Sequence, residues 1–204
     1  MLEPKSITLT GLHVQLEPVQ ESHREILRTL SFDEKVSLYA PALKLQFDSW
    51  FNKALHSYPA SRQLSFIVRT LSDQKIVGST RFYEIHTEHN RLSIGYTWYI
   101  PAVWGSVVNS ECKLLLLRYA FQELQVNRIE FFIDSRNERS RAAIKKLGAT
   151  EEGLLRQHII LDDGYLRDTV VYSILRNEWP TILCHLEKKI SVFNKRLHKT
   201  PAML

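Results

Sequence analysis

The sequence predicts a mixed α/β fold with a mostly antiparallel central sheet and flanking helices. Three observations support this prediction. First, stretches in which apolar residues alternate are interspersed with stretches in which they recur every three to four positions, the periods of strands and helices. Second, several strand-like stretches follow one another across short polar turns, as in antiparallel hairpins. Third, one strand leads through a helix into another strand, which predicts a parallel pair joined by a right-handed crossover.

The stretch 91–124 contains a strand, a compact loop and a helix in direct succession. Pro101 ends the strand because proline has no backbone N–H for a further ladder bond. The residues expected on one side of this strand are Leu92, Ile94, Tyr96, Trp98 and Ile100. After a loop that contains Gly105, the apolar period changes to about 3.6 from Asn109. This change predicts a helix whose stripe is formed by Leu114, Leu117, Phe121 and Leu124.

Such a succession brings free backbone N–H groups and the positive end of a helix dipole to one point. That point suits an anion such as a pyrophosphate. An ordinary packing junction between a strand and a helix has the same pattern. Both interpretations are therefore open on this stretch alone.

The elements before this stretch are a strand, two helices and a hairpin. The strand is predicted within 11–19, closed by Pro18, and a helix follows over 21–30. The segment 31–41 is predicted as a loop. A second helix, ended by Pro59 and Ser61, has its apolar positions at Phe47, Trp50, Phe51, Ala54 and Leu55. Alternation at 64–68 predicts a strand, and a turn at 72–75 makes 76–85 its hairpin partner.

The elements after this stretch begin with a strand at 128–134, the expected parallel neighbour of the central strand. A short helix over 136–148 can be capped by Ser135 or Asn137 and is ended by Gly148. Two further strands, 154–161 and 165–175, flank the hairpin signal Asp-Asp-Gly at 162–164. A terminal helix is predicted from Pro180 to about Leu197.

Composition indicates a soluble globular protein of 204 residues, with 44% hydrophobic and 24% charged residues. No apolar run approaches the roughly 20 residues of a membrane span, and the first residues lack the layout of a secretion signal. Cys112 and Cys184 make no disulfide framework. The eight histidines form no metal-binding spacing, so no metal is expected. A cytoplasmic protein is the expectation.

The net charge of +5 is concentrated near the C-terminus, where the segment 176–204 contributes +4. Contact with an acidic partner such as RNA is one interpretation. A solvated face of a terminal helix is the favoured one, so direct nucleic-acid binding is not expected. We therefore predict a single domain over 1–180 and a basic helical extension over 181–204.

Four segments have a recognisable pattern: ECKLLLLRYAF after a Trp-Gly loop, IDSRNERSRAAIKKLGA, EEGLLR and DGYLRDTVVYSIL. With the order of elements, they resemble the GNAT N-acetyltransferases, in particular the branch of the ribosomal-protein N-terminal serine and alanine acetyltransferases (RimJ/RimL-like). The resemblance covers residues 10–180. It implies the GNAT acyl-CoA N-acyltransferase fold and acetyl-CoA as cosubstrate.

The resemblance assigns the phosphate loop to the six positions 104–109. The family pattern there is Gln/Arg-x-x-Gly-x-Gly/Ala, and Val107 stands where a glycine is expected. A β-branched side chain should weaken the approach of the backbone to the pyrophosphate, or shift it toward neighbouring N–H groups. The implied cofactor contacts are Trp98, Tyr99, Ile100, Trp104, Gly105, Ser106, Val107, Val108, Asn109, Ser110, Asn137 and Ser140.

Acetyl transfer needs a polarised thioester carbonyl, a base and a proton donor for the thiolate. The N–H of Tyr99 or Ile100 is expected to polarise the carbonyl. Many GNAT enzymes donate the proton from a tyrosine seven residues after the asparagine, where this chain has Ile144. Ser140 resembles the serine proposed for this role in the branch. A cap or a CoA contact is the equal alternative for Ser140, and a simple helix cap is the alternative for Asn137.

The base is the least defined of these groups. Many members of the family carry a glutamate early in the central strand, where Ser93 stands here. We assign the role to Glu84, with His86, His89 and His158 as further candidates. A surface or hairpin position is the alternative for each of them.

The acceptor amine is expected to approach along Arg81, Tyr83, Trp98, His158 and Arg167. The two arginines could hold a substrate carboxylate or an acidic peptide; a solvated strand face is the alternative. The predicted function is transfer of an acetyl group from acetyl-CoA to a primary amine, in particular a protein or peptide N-terminus. A small amine, an antibiotic or a polyamine is the alternative acceptor, and an acyl-CoA-binding or RNA-associated module without catalysis is the alternative of another class. A homodimer is left open.

Overall fold

The computed structural model of the protein describes residues 4–38, 40, 42–56, 60 and 62–197. Its strands are β1 (Leu9–Thr10), β2 (Val14–Pro18), β3 (Leu64–Thr70), β4 (Ile76–His86), β5 (Arg91–Tyr99), β6 (Arg128–Asp134), β7 (Thr150–Ile160) and β8 (Leu166–Leu175). Its α-helices are α1 (Arg24–Ser31), α2 (Glu34–Ser37), α3 (Ala42–Leu45), α4 (Phe47–Leu55), α5 (Val108–Arg118), α6 (Glu138–Leu147) and α7 (Trp179–Leu197).

The strands form one eight-stranded sheet in the order β1-β2-β3-β4-β5-β6-β8-β7. The pairing is antiparallel throughout except between β5 and β6, which are parallel. That parallel pair is connected through α5, as a crossover requires. The predicted fold class, a mixed α/β fold with a mostly antiparallel sheet and flanking helices, is confirmed.

The strand β5 contains a bulge that its sequence pattern conceals. Ser79 pairs with Trp98 whereas Arg81 pairs with Gly95, so β5 carries one more residue than β4 over this interval. Tyr96 within the bulge has a φ of +50°. Because one extra residue moves all later side chains to the opposite face, Ile94 packs in the main core while Trp98 packs in a second core on the other side. The prediction that Tyr96 and Trp98 share a face with Ile94 is therefore wrong.

The two faces of the sheet are covered by different helices. On one face, hereafter the α5 face, the main core includes most of α5 and the apolar side of α7, whose Trp179 stacks on Phe121 at a centroid distance of 5.6 Å. On the other, hereafter the Trp98 face, a smaller core joins α1, α2, α3 and α4 to Ile67 and Trp98. Helix α7 thus contributes Ile182, Leu186 and Ile190 to the main core.

The segment 31–41, predicted as a loop, contains α2, and α3 follows it directly. Asp33 caps α2 by accepting a 2.8 Å hydrogen bond from the N–H of Lys35. Val36 and Leu43 are buried on these two helices. The prediction of a continuous loop is wrong because single helical turns are too short to show a period. Pro41, like the helix-ending Pro59 and Ser61, lies outside the described residues.

The predicted helix from Asn109 to Leu124 begins one residue earlier, at Val108. Helix α5 runs to Arg118 and continues as a π-helical turn over Tyr119–Glu123. Almost every residue of α5 is buried, since the helix lies between the sheet and α7. In the part of the chain described, no helix has the length and apolar character that crossing a membrane requires.

Candidate active site

A gap opens in the sheet where β5 and β6 separate. The two strands pair only over Arg91–Ser93 and Arg128–Glu130, although β5 continues to Tyr99 and β6 to Asp134. Beyond the paired residues, the backbone groups of β5 that face β6 have no ladder partner. The gap therefore offers hydrogen-bonding backbone to an extended ligand that enters between the two strands.

At the end of β5, the N–H of Tyr99 faces this gap. The next residue, Ile100, points its N–H the other way and donates to the carbonyl of Val77 at 2.9 Å. Backbone N–H directions alternate along a strand, so the N–H of Tyr99 points away from β4 and into the gap. Its carbonyl accepts a 2.8 Å hydrogen bond from Trp104 Nε1. The sequence predicts the backbone N–H of Tyr99 or of Ile100 as the oxyanion donor. In the structure the N–H of Ile100 is already bonded to Val77, whereas the N–H of Tyr99 is available to a ligand.

The loop after β5 presents the N-terminus of α5 beside the gap. Gly105 has a φ of +73° and open space around the position of a Cβ. Ser106 Oγ donates to the carbonyl of Val103 at 2.6 Å and accepts from the N–H of Val108 at 3.3 Å. The N–H groups of Asn109 and Ser110 belong to the first turn, where a helix has no internal acceptors. They are directed, with the helix dipole, toward an anion.

Val107 does not behave as its sequence position suggests. Its φ is −69°, in the right-handed helical region that any residue adopts, so a glycine is not required there. Its side chain is 7% exposed and packs in the main core. The side chain thus points into the protein rather than toward the loop's outer surface, so the structure does not support the expectation that it weakens the approach of the backbone to the pyrophosphate.

The N-terminus of α6 lies against the same loop. The guanidinium of Arg139 stacks on the ring of Trp104, with 3.6 Å from its Cζ to the ring centroid. Asn137 Oδ1 accepts a 3.0 Å hydrogen bond from the N–H of Ser140, so Asn137 caps α6 as the sequence allows. Ser140 is half-buried in the first turn. Two helix N-termini and one cation thus meet at the loop.

Aromatic and cationic side chains gather on the Trp98 face next to the gap. Tyr96 is at their centre, since its ring contacts that of Tyr83 at 5.1 Å between centroids and the guanidinium of Arg81 at 4.3 Å. Arg167 lies near both tyrosines, and burial lowers the pKa of its guanidinium. Burial lowers the pKa of Arg81 to about 10. The structure therefore brings Arg81, Tyr83 and Arg167 together around Tyr96, which the sequence did not single out.

His158 borders the same region from the edge strand β7. Its ring stacks on Phe132 of β6 at 6.2 Å between centroids, and Arg167 Nη2 donates to the carbonyl of Phe132 at 3.0 Å. His158 falls within a stretch of irregular pairing between β7 and β8, where the register shifts between Leu155 and Ile159. His158 thus lies beside the unpaired part of β6.

Glu84 lies elsewhere. It falls between Tyr83, which pairs with Ser93, and His86, which pairs with Arg91, alongside the closed end where β5 and β6 still pair. Its side chain is 61% exposed, and Oε2 lies within hydrogen-bonding distance of His86 Nε2, at 3.2 Å. This position argues against Glu84 as the base. The other ring nitrogen of His86, Nδ1, lies 3.1 Å from Glu88 Oε1. His86 therefore interacts with residues of the β4–β5 hairpin and not with the gap.

Lys113 is a buried ammonium that the sequence interpretation missed. Its Nζ donates to Thr97 Oγ1 at 3.2 Å, and Thr97 Oγ1 lies 2.7 Å from Thr80 Oγ1. Phe131 of β6 is 5.9 Å away. Lys113 therefore lies on the α5 face between the separated strands, where burial lowers its pKa to about 8. The available signal was a lysine inside an otherwise apolar run of the helix.

Comparison with known proteins agrees with this geometry. Residues 13–150 match the model of the acetyltransferase (GNAT) domain. YdaF of Bacillus subtilis, provisionally named a ribosomal N-acetyltransferase, is 32% identical over 110 residues, which cover 53% of this chain and only 58% of YdaF. YoaA of the same organism, an uncharacterised N-acetyltransferase, is 30% identical over 119 residues. These residues cover 58% of this chain and 66% of the length of YoaA.

Solved structures give the same picture over most of the chain. A GCN5-related N-acetyltransferase from Brucella melitensis superposes with a TM-score of 0.82 at 26% identity, over 91% of this chain and 86% of that one. RimJ of Mycobacterium smegmatis, solved with CoA-disulfide, gives a TM-score of 0.77 at 22% identity. The superposition covers 90% of this chain and 95% of the RimJ chain. Because only 22% of the residues are identical, the similarity to RimJ concerns the fold alone.

Proposed function

Because this chain belongs to the GNAT family of acetyltransferases, we propose that it transfers an acetyl group from acetyl-CoA to a primary amine, namely a protein or peptide N-terminus. One observation supports this most directly. The gap between β5 and β6 ends at a loop that presents the N-terminus of α5. A long ligand with an anionic group in its middle matches this combination of an extended groove and an anion site.

In this proposal the pyrophosphate of CoA binds at the loop, to N–H groups of Gly105, Asn109 and Ser110. The pantetheine arm lies in the gap and pairs with the free backbone of β5, as an added strand would. The thioester oxygen then accepts a hydrogen bond from the backbone N–H of Tyr99. Removing one such donor typically lowers kcat by about 10²–10³-fold. Trp104, Asn137 and Arg139 border the cofactor where α6 meets the loop.

The acceptor amine approaches from the Trp98 face, past Tyr96 and Arg81. Its nitrogen attacks the carbonyl carbon, the C–S bond breaks, and the thiolate of CoA takes a proton for which Ser140 is the proposed donor. The proton of the amine leaves through water or through His158, which borders the unpaired part of β6. The hydroxyl of Tyr99 is enclosed in the core, and burial raises its pKa well above the usual value. Tyr99 therefore acts through its backbone.

A protein or peptide N-terminus is favoured over a polyamine by the charge of the acceptor side. Two guanidinium groups lie there, that of Arg81, which is buried, and that of Arg167, which is half-buried. A polycation would be repelled by both. The provisional name of YdaF points in the same direction.

Release of free thiol from acetyl-CoA, measured with a panel of N-terminal peptides, small amines and polyamines, tests this proposal. We expect turnover with peptides and none with polyamines. Thermal stabilisation by acetyl-CoA, about 2.7 kcal/mol at a hundred times its dissociation constant, should accompany it. Binding of CoA without turnover on any amine would contradict the proposal and support a non-catalytic acyl-CoA-binding module.

A further inference from the structure

Arg81 is a buried cation with an unused hydrogen-bonding edge. It is 2% exposed. Its Nη1 donates to Gln63 Oε1 at 3.0 Å, whereas Nε and Nη2 have no hydrogen-bond partner in the described part of the chain. The guanidinium lies over the rings of Tyr96 and Trp50, at 4.3 and 5.3 Å. These rings offer their faces to the charge but no acceptor to the N–H groups.

The free edge has the geometry that this chain uses for carboxylates elsewhere. Arg136 binds Asp134 through Nε at 3.0 Å and Nη2 at 2.7 Å, and Arg69 binds Glu17 through the same two atoms at 2.5 and 3.2 Å. A carboxylate matches this pair of parallel N–H donors. Among the described ion pairs none includes Arg81. The parallel donors Nε and Nη2 of Arg81 therefore bind no acceptor from the described part of the chain.

Further buried donors lie at neighbouring positions of the sheet. Ser65 pairs with Arg81 across β3 and β4, and Ser79 pairs with Trp98 across β4 and β5. Because Ser79 and Arg81 are two residues apart on one strand, all four side chains lie on the Trp98 face in two adjacent rows. All four are buried. Ser65 Oγ, Ser79 Oγ and Trp98 Nε1 are, like the edge of Arg81, without a partner in the described structure.

The charges around this cluster favour an anion. The other cation nearby is Arg167, which is half-buried, and Asp134, the acidic group that interacts with it, is already bound to Arg136 at 2.7 Å. Unpartnered polar groups are rare in protein interiors because each lacks the hydrogen bonds it makes in water. Five such donor atoms belong to residues at neighbouring positions of one sheet face, so this region suits a ligand group that supplies acceptors.

The cluster adjoins the proposed path of the acceptor. Arg81 pairs with Gly95, which directly precedes the bulge and lies four residues before Tyr99. Tyr96 separates the guanidinium from solvent, since its ring contacts Arg81 and is half exposed. The partner of Arg81 on β5 and the proposed oxyanion donor are therefore four residues apart on one strand.

We propose that the acceptor amine carries a carboxylate, and that this carboxylate binds side-on to Nε and Nη2 of Arg81. The inference rests on the proposed acetyltransferase function and adds the chemical class of the acceptor. The carboxylate has two sources. It is the α-carboxylate of a free amino acid or the acidic side chain of a residue near a peptide N-terminus.

Matched acceptors test the proposal without altering the protein. Free amino acids are compared with their amides, and peptides that begin with Asp or Glu with otherwise identical peptides that begin with Asn or Gln. We expect kcat/KM for thiol release to be about 10- to 100-fold higher for the carboxylate member of a pair, the range of hydrogen bonds to charged groups. A preference confined to amino acids assigns the α-carboxylate, and one confined to peptides assigns the acidic side chain.

Variants then locate the preference. Arg81→Lys keeps the charge but removes the parallel donors, so the preference should fall about tenfold while stabilisation by acetyl-CoA persists. Arg69→Gln, which removes another strand arginine, should leave the preference unchanged. Equal rates within every pair would overturn this inference and leave the proposed function standing. Thiol release with none of the acceptors would overturn the proposed function and this inference with it.

Discussion

Trp104 Nε1 donates a 2.8 Å hydrogen bond to the carbonyl of Tyr99. This bond joins the loop to the last residue of β5 and replaces a ladder bond at the point where the sheet opens. It holds the residue whose N–H faces the gap, while Arg139 packs over the ring face of the same indole. The proposed phosphate loop and the proposed oxyanion donor are therefore positioned by one side chain.

Trp104→Phe should lower kcat by about 5- to 10-fold, the effect of losing one neutral hydrogen bond of about 1 kcal/mol, with a smaller change in the dissociation constant of CoA. The phenyl ring retains the stacking surface for Arg139 but has no N–H. Steady-state kinetics and calorimetric titration with CoA separate the two effects. An unchanged kcat would show that the position of Tyr99 does not depend on this bond.

Gly105→Ala should weaken CoA binding, whereas Gly164→Ala should not. Both glycines have positive φ, +73° and +83°, and both have open space around the added methyl group. Each variant therefore carries the same backbone strain, on the order of 1 kcal/mol. Only Gly105 lies in the proposed phosphate loop. Calorimetry with CoA on both variants compares them, and equal loss of affinity would contradict the assignment of the loop.

Val107→Gly is expected to destabilise the fold rather than to tighten CoA. The side chain is buried in the main core, so its removal loses about 1.5–3 kcal/mol of burial energy, and the added backbone freedom lowers stability further. Urea unfolding measures the loss. Tighter CoA binding in this variant would restore the interpretation that valine obstructs the pyrophosphate.

Ser140→Ala should lower kcat by on the order of 10²-fold, the size expected of a general acid, with little change in the Michaelis constant for acetyl-CoA. A proton donor acts only as the thiolate leaves, so its loss affects the transition state more than binding. The cap of α6 is retained, because Asn137 accepts the backbone N–H of residue 140 and not its hydroxyl. A change confined to the Michaelis constant would make Ser140 a binding residue.

Lys113→Met should raise the free energy of unfolding at pH 7 by up to about 3 kcal/mol, since burial lowers the pKa of Lys113 from its usual value of 10.5 to about 8. Below pH 8 the folded protein bears the whole cost of the buried charge. Between pH 8 and about 10.5 the unfolded chain binds more protons than the folded one, so the unfolding free energy of the unmodified protein rises with pH. The difference between the two proteins should therefore shrink over this range.

Urea unfolding of both proteins at pH 7, 8.5 and 9.5 measures this difference. Lys145→Met, at an exposed lysine paired with Glu151 at 2.8 Å, is the control and should show no such pH dependence. A constant difference between Lys113→Met and the unmodified protein would contradict a buried, titrating ammonium.

The sequence by itself determined the order of the larger elements, the parallel β5–β6 pair, the cap at Asn137 and the end of α6 at Gly148, which has a φ of +101°. It also determined the resemblance to the GNAT family, which the matching family model confirms. These features follow from interactions between residues close in the chain, namely periodicity, capping and turn chemistry, which a linear pattern records.

Only the tertiary structure decided which way several of these side chains point. The bulge at Tyr96 depends on pairing with β4, and it sends Trp98 to the face opposite Ile94. The burial of Val107, the contact of Lys113 with Thr97 and the removal of Glu84 from the gap likewise depend on partners distant in the chain. The unpaired edge of Arg81 exists because β3, β4, β5 and α4 enclose it together without an acceptor. A linear pattern contains no record of such an enclosure, because strand register and helix packing, not local spacing, decide which groups are left without partners.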